Sequence, residues 1–228
     1  MKLEWDKIGE HFYETGVEQV ALYPQVSGAY PKGVAWNGVS AFNLTPSGGE
    51  PTSVFANDRK YLTLMSVEEL GGTIEAYTYP DEFAECDGSA SVVKGVYFGQ
   101  QKRKAFGLVA KTLLGNDTDY NAYGYKLHLV YGCLASPSEQ SNATTSESTE
   151  AKTMSWEFTT TPVSIAGFEP TSYICIDSSK VDADKLAALE AILYGSEDAE
   201  PRLPLPNEIV TLMGGAVEAT DPNEHPAG

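Results

Sequence analysis

Apolar and polar residues alternate in short runs along this chain, with the period of two that is typical of β-strands. In Tyr125–Leu134, an apolar face that includes Leu127 alternates with a polar face that includes His128. In Thr153–Thr160, an apolar face that includes Trp156 alternates with serine, glutamate and threonine. Each run predicts a strand with one face buried and the other in contact with water.

Similar runs, rich in valine, threonine and tyrosine, lie between frequent glycine and proline residues. Short strands at this spacing are typical of an all-β sandwich or barrel, so the predicted fold class is mainly β. The predicted strands are Val17–Tyr23, Gly33–Asn43, Tyr61–Met65, Thr73–Thr78, Phe106–Thr112, Tyr125–Leu134, Thr153–Thr160 and Ser172–Asp177.

A helical period replaces the alternation in Ala183–Tyr194, where leucine and isoleucine side chains fall on one face. Asp182 is placed to accept hydrogen bonds from the first turn, and Gly195 follows the last residue. These signals predict one helix that packs against the sheet. Beyond it, Pro201–Pro206 predicts an extended segment, and Asn207–Met213 predicts a short helix.

A long polar stretch, Ala135–Lys152, separates the two best-patterned strands and contains no large apolar side chain. Such a stretch cannot bury itself, so it predicts a long hairpin with a mobile tip. The tip is either an exposed loop or a loop that becomes ordered against a neighbouring molecule. Residues 1–213 are predicted to form one β domain, and residues 214–228 are predicted to be a disordered tail.

The net charge is strongly negative. The chain has 228 residues, enough to bury a core without disulfides or metals. Its 32 acidic residues outnumber its 15 basic residues, which gives a net charge of −17. A charge of this sign favours solubility and disfavours tight binding to nucleic acid. Two interpretations remain open, a generally solvated acidic surface or a surface that must not adhere to DNA.

The segment Met1–Glu10 lacks the apolar region of a secretory signal, and no run approaches the roughly 20 apolar residues that span a bilayer. We therefore expect synthesis and folding in the cytoplasm and no contact with a membrane. The cysteines at positions 86, 133 and 175 are odd in number and widely separated. This arrangement predicts buried, reduced thiols rather than a disulfide framework.

An acidic run from Glu68 to Asp87 is followed by a basic group from Lys94 to Lys111, so the sign of the charge inverts between them. Pro80, followed by acidic residues, predicts one helical turn near the inversion. Three interpretations of the basic group stand: binding of single-stranded nucleic acid with neighbouring aromatic residues, an ion-paired or solvated face, and contact with the acidic run of a neighbouring subunit. Under the last, the candidate inter-subunit residues are Lys94, Lys102, Arg103, Lys104, Glu82, Glu85 and Asp87.

No catalytic motif accompanies these features in the sequence. The histidines are far apart, and motifs for zinc, for nucleotide phosphate and for a serine nucleophile are missing. Cys86 lies among acidic residues that would raise the pKa of its thiol, which disfavours a nucleophilic role. Gly115–Asp119 is interpreted as a turn rather than as part of a calcium loop. We therefore predict no enzymatic activity, no cofactor and no metal.

Over roughly residues 2–213, the sequence resembles the major tail tube proteins of siphophages that infect Gram-positive bacteria. The resemblance rests on the order and spacing of many segments, none of which is a mechanistic motif by itself. The segments are GVEQVALYPQ (Gly16–Gln25), GVAWNGV (Gly33–Val39), PSGGEPT (Pro46–Thr52), Thr73–Gly107, KLHLVYGCLASPSE (Lys126–Glu139), TTTPV (Thr159–Val163), VDADKLAALEAILYG (Val181–Gly195) and PRLPLPNE (Pro201–Glu208).

The resemblance implies a β-sandwich or barrel of the phage tail-tube type, with one flanking α-helix and a long hairpin. It implies hexameric rings that stack into a non-contractile tube, in which one sheet of each subunit joins a continuous barrel around a lumen. Phage DNA would pass through this lumen without specific binding. The protein partners would be further copies of the chain, a tape-measure protein, and distal tail and tail terminator proteins.

The same resemblance places the protein in the virion tail, after assembly in the cytoplasm of the host bacterium. The polar stretch Ala135–Lys152 would then become ordered between rings. The candidate inter-ring residues are Ser138, Asn142, Thr145 and Ser148.

A soluble virion decoration or adhesin-type binding module is the alternative function. Its ligand site would be built from exposed tyrosines, for which packing in the core or in an interface is the competing interpretation. The candidate tyrosines are Tyr77, Tyr79, Tyr97, Tyr120, Tyr123 and Tyr125.

Overall fold

The computed structural model of the protein describes residues 2–139, 142, 144 and 151–215. Strands dominate this part of the chain. The strands are β1 (Tyr13–Pro24), β2 (Val34–Ala35), β3 (Val39–Gly48), β4 (Pro51–Ala56), β5 (Arg59–Met65), β6 (Glu68–Ala76), β7 (Ala90–Val93), β8 (Val96–Phe98), β9 (Phe106–Asn116), β10 (Tyr120–Ala135), β11 (Met154–Thr160), β12 (Val163–Ile165), β13 (Phe168–Thr171) and β14 (Tyr173–Asp177). The helices are α1 (Phe83–Cys86), α2 (Ala183–Tyr194) and α3 (Pro206–Leu212).

The main sheet is antiparallel and runs in the order β2-β1-β9-β10-β11-β6-β3, with β14 as a second partner of β10. The 16 residues of β10 allow it to serve both partners. Its middle, Lys126–Val130, pairs with β14, whereas its end, Cys133–Ala135, pairs with β11. The sheet therefore forms two layers, β2-β1-β9-β10-β14 and β11-β6-β3. The mainly β fold predicted from the sequence is confirmed.

An aromatic core lies between the two layers. Phe83 of α1 is fully buried, and its ring centroid lies 4.5 Å from that of Trp36 and 5.3 Å from that of Trp156. Tilted and edge-to-face contacts of this kind add to the stabilisation gained by burying large apolar side chains. The predicted helical turn is present, but it begins at Phe83 rather than at Pro80. The Phe83 N–H donates instead to the Pro80 carbonyl in a preceding turn, at 2.9 Å.

A second core lies on the other face of the first layer, under α2. Leu189 and Leu193 of α2 are fully buried and cluster with Leu127 and Leu129 of β10. The opposite face of β10 contributes Val130 to the aromatic core, so this part of the strand is buried on both faces. It is not the half-buried strand that its alternation predicted.

The bounds of α2 agree with the sequence prediction, because its end signals act as expected. Asp182 Oδ1 accepts hydrogen bonds from the N–H groups of Asp184 and Lys185, each at 3.1 Å. Gly195 follows the helix with a φ of 84°, a conformation that glycine adopts without strain. The short C-terminal helix is also present as α3.

The single strand predicted over Gly33–Asn43 is interrupted in the structure. β2 ends at Ala35, and β3 begins only at Val39. Between them, the Trp36 N–H donates to the Val20 carbonyl at 2.8 Å, and Gly38 has a φ of 77° that turns the chain. Three two-stranded hairpins, β4-β5, β7-β8 and β12-β13, also lie outside the main sheet. Of their strands, only β5 was among the predicted set.

β10 and β11 pair as the predicted hairpin, and beyond the ladder the Ser136 N–H donates to the Glu157 carbonyl at 2.8 Å. Much of its tip, and all of the predicted disordered tail after residue 215, lie outside the described residues. Within the described ranges, no helix combines the length and the apolar content needed to cross a bilayer.

Candidate assembly surfaces

The acidic and basic residues that flank the charge inversion meet within one chain. Lys104 Nζ lies 3.1 Å from Glu85 Oε2, and the Lys104 N–H donates to the Glu85 carbonyl, also at 3.1 Å. The Arg103 side chain lies against Gly88, and its positive charge acts on Asp87. The segment before β9 therefore returns alongside α1 and pairs part of the complementary charge inside the subunit.

Arg103 and Asp87 are partly buried and contribute to the fold itself. Burial raises the pKa of the Asp87 carboxyl, while a hydrogen bond from the Trp156 side chain and the charge of Arg103 act to lower it. The Arg103 Nε atom is buried and has no hydrogen-bond partner in the described part of the chain. A change at Arg103 would therefore disturb packing as well as charge.

Lys94, Lys102 and Glu82 are exposed, and no ion pair among the described residues includes them. Lys94 lies at the turn between β7 and β8, and Lys102 lies in the loop before β9. These are the charges of the predicted inter-subunit group that remain accessible to a neighbouring molecule. Their role in a contact between subunits stays a prediction.

Ser138 and Asn142 are the described members of the predicted inter-ring group. Ser138 Oγ donates to the Ser136 carbonyl at 3.3 Å, and Lys152 Nζ donates to Asn142 Oδ1 at 2.8 Å. Thr145 and Ser148 lie outside the described residues. The part played by this group between rings stays a prediction.

The β4-β5 hairpin presents large apolar side chains to solvent, a surface that sequence reasoning missed. All residues of both strands are exposed. Val54 pairs with Leu62, and Leu64 lies two residues further along the same face. Met65, the residue after Leu64, lies on the opposite face and is 68% exposed. The hairpin therefore carries exposed apolar side chains on both of its faces.

The β7-β8 hairpin is a smaller surface of the same kind. Every residue from Ser91 to Phe98 is exposed, including Val92, Tyr97 and Phe98. Because Lys94 lies at its turn, this hairpin combines apolar side chains with an accessible positive charge. Its two strands are too short for their alternation to be detected in the sequence.

The outer face of the β11-β6-β3 layer is polar and acidic. Phe42, Ile74 and Trp156 of these strands point into the aromatic core, so the intervening positions face outward. Those positions, aligned by the strand register, carry small or hydroxyl side chains, one asparagine and three glutamates but no lysine or arginine. They are Ala41, Asn43, Thr45, Ser47, Glu69, Gly71, Thr73, Glu75, Ser155, Glu157 and Thr159.

A hydrogen-bonded network surrounds His128 at the end of the first layer. Thr112 Oγ1 donates to Glu14 Oε1 at 2.6 Å, so His128 Nε2, which lies 2.8 Å from Thr112 Oγ1, is the donor to that hydroxyl. His128 Nδ1 then accepts from the Tyr173 hydroxyl at 2.7 Å. The neutral imidazole thus donates a hydrogen bond through Nε2 and accepts one through Nδ1.

Burial explains the charge states in this network. Burial lowers the pKa of His128, although the Glu14 carboxylate acts to raise it. Burial acts to raise the pKa of Glu14, but hydrogen bonds from Lys126 and Thr112 outweigh it and the net pKa is lowered. The network therefore holds a neutral imidazole between a carboxylate and a phenol, as a structural polar cluster.

The three thiols differ in their surroundings. Burial raises the pKa of Cys86 to about 12, with smaller upward contributions from Glu85 and Asp87. The predicted direction is therefore correct, but burial rather than the acidic neighbours is its main cause. Cys133 is also buried and its pKa is raised by burial. Cys175, on β14, which pairs only with β10 among the described strands, is exposed, and this corrects the prediction that all three are buried.

The candidate metal and aromatic residues can be placed within the described part of the chain. No group of three or more histidine, cysteine or acidic side chains comes together there. Gly115–Asp119 contains the turn between β9 and β10, where Asn116 Oδ1 accepts hydrogen bonds from the next residues. The candidate tyrosines are dispersed, since Tyr79 packs on Trp156 whereas Tyr123 packs on Phe12.

Comparison of the sequence with models of known protein families gives no match, and comparison with curated proteins gives none either.

Proposed function

We propose that the protein is a structural virion subunit that self-assembles as stacked hexameric rings into the non-contractile tail tube through which phage DNA is ejected. The observation that carries the proposal is the β4-β5 hairpin, with both apolar faces exposed. The sequence resemblance to tail tube proteins supplies the type of assembly. The proposed partners are further copies of the chain, a tape-measure protein, and distal tail and tail terminator proteins.

The hairpin favours an assembly because an isolated two-stranded hairpin is at best marginally stable in water. Covering its apolar surface contributes about 25 cal/mol per Å² removed from water. Val54, Leu62 and Leu64 on one face, and Met65 on the other, require cover on two sides. Neighbouring copies in a ring or a stack of rings provide cover on both sides, whereas one small ligand does not.

The polar outer face of the β11-β6-β3 layer suits the lumen of such a tube. Glu69, Glu75 and Glu157 face outward from adjacent strands, without an intervening base on that face. A surface of this charge repels the phosphate backbone and lets DNA pass without binding. β3 is also the last strand of the sheet among those described, so its outer edge is available to pair with a neighbour.

The test is negative-stain electron microscopy of the purified protein at low and high concentration, with two variants. We expect hollow tubes of uniform width for the natural sequence. A double variant, Leu62→Thr and Leu64→Thr, keeps β-forming residues but removes apolar cover, and we expect it to stay monomeric. The matched control is Phe168→Thr on the β12-β13 hairpin, where the phenylalanine is 74% exposed, and it should form tubes.

If the natural protein remains monomeric, it is next mixed with tail-tip and tape-measure proteins to supply an assembly initiator. Tubes that form only in the mixture support the proposal. Monomers that persist in every mixture overturn it and favour the decoration or adhesin-type module. Tubes formed equally well by the double variant would show that Leu62 and Leu64 of the hairpin do not mediate assembly.

A further inference from the structure

We infer that Asn37 is a site of spontaneous chemical modification, at which the side-chain amide is lost and the main chain is rebuilt through an isoaspartyl linkage. Asn37 and Gly38 form the exposed turn between β2 and β3. Asparagine is one of the chemically labile residues of proteins, and Asn37 is the only asparagine in the sequence that glycine follows. The modification consumes only water, so the inference stands independently of the proposed tube.

The reaction is an attack of the Gly38 backbone nitrogen on Cγ, the side-chain carbonyl carbon of Asn37. A new C–N bond closes a succinimide ring, and the bond from Cγ to the side-chain nitrogen breaks. That nitrogen leaves as ammonia and takes up the proton that the Gly38 N–H has lost. Water then opens the ring. Opening at Cγ gives aspartate, whereas opening at the main-chain carbonyl carbon gives isoaspartate.

The peptide unit between Asn37 and Gly38 has the freedom that this attack needs. Within the described part of the chain, neither the Asn37 carbonyl nor the Gly38 N–H is hydrogen-bonded to another backbone group. The unit therefore rotates without the loss of a main-chain hydrogen bond. Glycine also has no Cβ beside the attacking nitrogen, and its backbone adopts positive and negative φ with similar ease.

Two other asparagines each lack one of these conditions. Asn116 is 3% exposed, and its Oδ1 accepts hydrogen bonds from the backbone N–H groups that follow it. Its Nδ2 donates to the Gly9 carbonyl at 3.2 Å, so this side chain is fixed. Asn57 lies in the exposed turn between β4 and β5, as free as Asn37 to react, but Asp58 follows it. Asn57 is therefore the matched comparison within the same molecule.

The turn is anchored on both sides, so a change of its backbone should affect the fold. The Trp36 indole N–H donates to the Thr78 carbonyl at 2.8 Å, and the Gly38 carbonyl accepts from the Tyr77 N–H at 2.9 Å. Isoaspartate inserts an extra carbon atom into the main chain between these two anchors. Because Trp36 is buried in the aromatic core, displacement of either anchor should destabilise the protein.

Mass spectrometry of the full-length protein tests the assignment. The protein is kept at mildly alkaline pH in heavy-oxygen water, sampled over time and digested, and fragment masses then locate each lost amide. We expect Asn37 to react about tenfold or more faster than Asn57, because glycine leaves the attacking nitrogen unhindered whereas Asp58 does not. Each product should carry a labelled oxygen from water. Part of it should be isoaspartate, which an isoaspartyl methyltransferase labels.

Two variants separate the linkage from the charge that it adds. Asn37→Gln should abolish the fast reaction, because glutamine closes its larger ring slowly. Freshly prepared Asn37→Asp carries the new charge on an unaltered backbone and should melt like the natural protein. The isoaspartate-containing fraction of the aged natural protein, separated by ion exchange, should melt at a lower temperature than either.

The contrary outcomes are distinct. An Asn37 amide that survives as long as that of Asn57 would overturn the assignment of this turn. Aspartate without isoaspartate would overturn the succinimide route, because direct hydrolysis of the side chain leaves the main chain unchanged. An isoaspartate fraction that melts like the natural protein would overturn the effect on the anchors of Trp36 and Gly38.

Discussion

Lys104 Nζ lies 3.1 Å from Glu85 Oε2, so residues from opposite sides of the charge inversion pair within one subunit. The two side chains are 37% and 65% exposed. Pairs this exposed contribute about 0–1 kcal/mol, so this contact fixes the loop before β9 more than it stabilises the fold. The charges with the greatest freedom to meet another subunit are therefore Lys94 and Lys102.

The double reversal Lys94→Glu and Lys102→Glu should block assembly without changing the thermal melting temperature of the monomer. Both lysines are exposed and lie outside the ion pairs of the described residues. Sedimentation and electron microscopy measure assembly, and calorimetry measures the melting temperature. The control is the swap Glu85→Lys with Lys104→Glu, which preserves an internal pair and should assemble. Tubes from the lysine double variant would exclude both residues from any essential contact.

Leu189→Asp should lower the free energy of unfolding by about 4 kcal/mol or more, since it places a carboxyl in an apolar core. Leu189 is fully buried on the side of α2 that faces the sheet. The matched control is Ala188→Asp, one residue earlier on the exposed side of the same helix. Urea denaturation measures both variants. Equal stability of the two would mean that α2 does not pack on the sheet through Leu189.

Asp182→Ala should cost about 1 kcal/mol of stability, because it removes the side-chain acceptor at the start of α2. Asp182 Oδ1 accepts two backbone hydrogen bonds at 3.1 Å. Asp182→Asn keeps an acceptor and should recover most of the loss. Chemical denaturation of the three proteins gives the values. A loss of the same size in the asparagine variant would point to charge rather than to capping.

Gly132→Ala should be far more destabilising than Gly95→Ala, although both glycines have a positive φ. A Cβ at position 132 would lie 2.3 Å from the Thr161 carbonyl oxygen, whereas nothing lies within 4 Å of one at position 95. Backbone strain alone costs about 1–2 kcal/mol, and the clash adds to this cost only at position 132. The melting temperatures of the two variants separate the cost of backbone strain from the cost of the clash. Equal decreases in melting temperature would contradict the steric explanation.

Stability should fall as the pH drops below about 6.5, in part because of His128. Its pKa is lowered from the ordinary value of 6.5 by burial, so the unfolded chain takes up this proton before the folded protein does. The contribution is complete above pH 6.5 and is lost as the pH falls toward the lowered value. Unfolding free energies of the natural protein and of His128→Gln, measured from pH 7.5 to 5, give the test. Parallel pH profiles of the two proteins would contradict this contribution of His128.

The helix α2 could be predicted closely because its period, its cap at Asp182 and its terminating glycine are all local signals. The strands of the main sheet were also indicated, since their alternation reflects burial on at least one face. The β4-β5 and β7-β8 hairpins were largely missed, because a hairpin exposed on both faces has no single apolar face to detect. The Lys104–Glu85 pair depends on how the loop before β9 returns to α1, which no sequence spacing reveals.

The exposure of Trp5 gives the protein a built-in optical reporter. Of the three tryptophans, Trp36 and Trp156 are 3% and 2% exposed, whereas Trp5 is 74% exposed. Fluorescence that is red-shifted and readily quenched by iodide should therefore come from Trp5 alone. When assembly covers that indole, its emission should shift to the blue and quenching should fall. Assembly would then be followed in real time without a label.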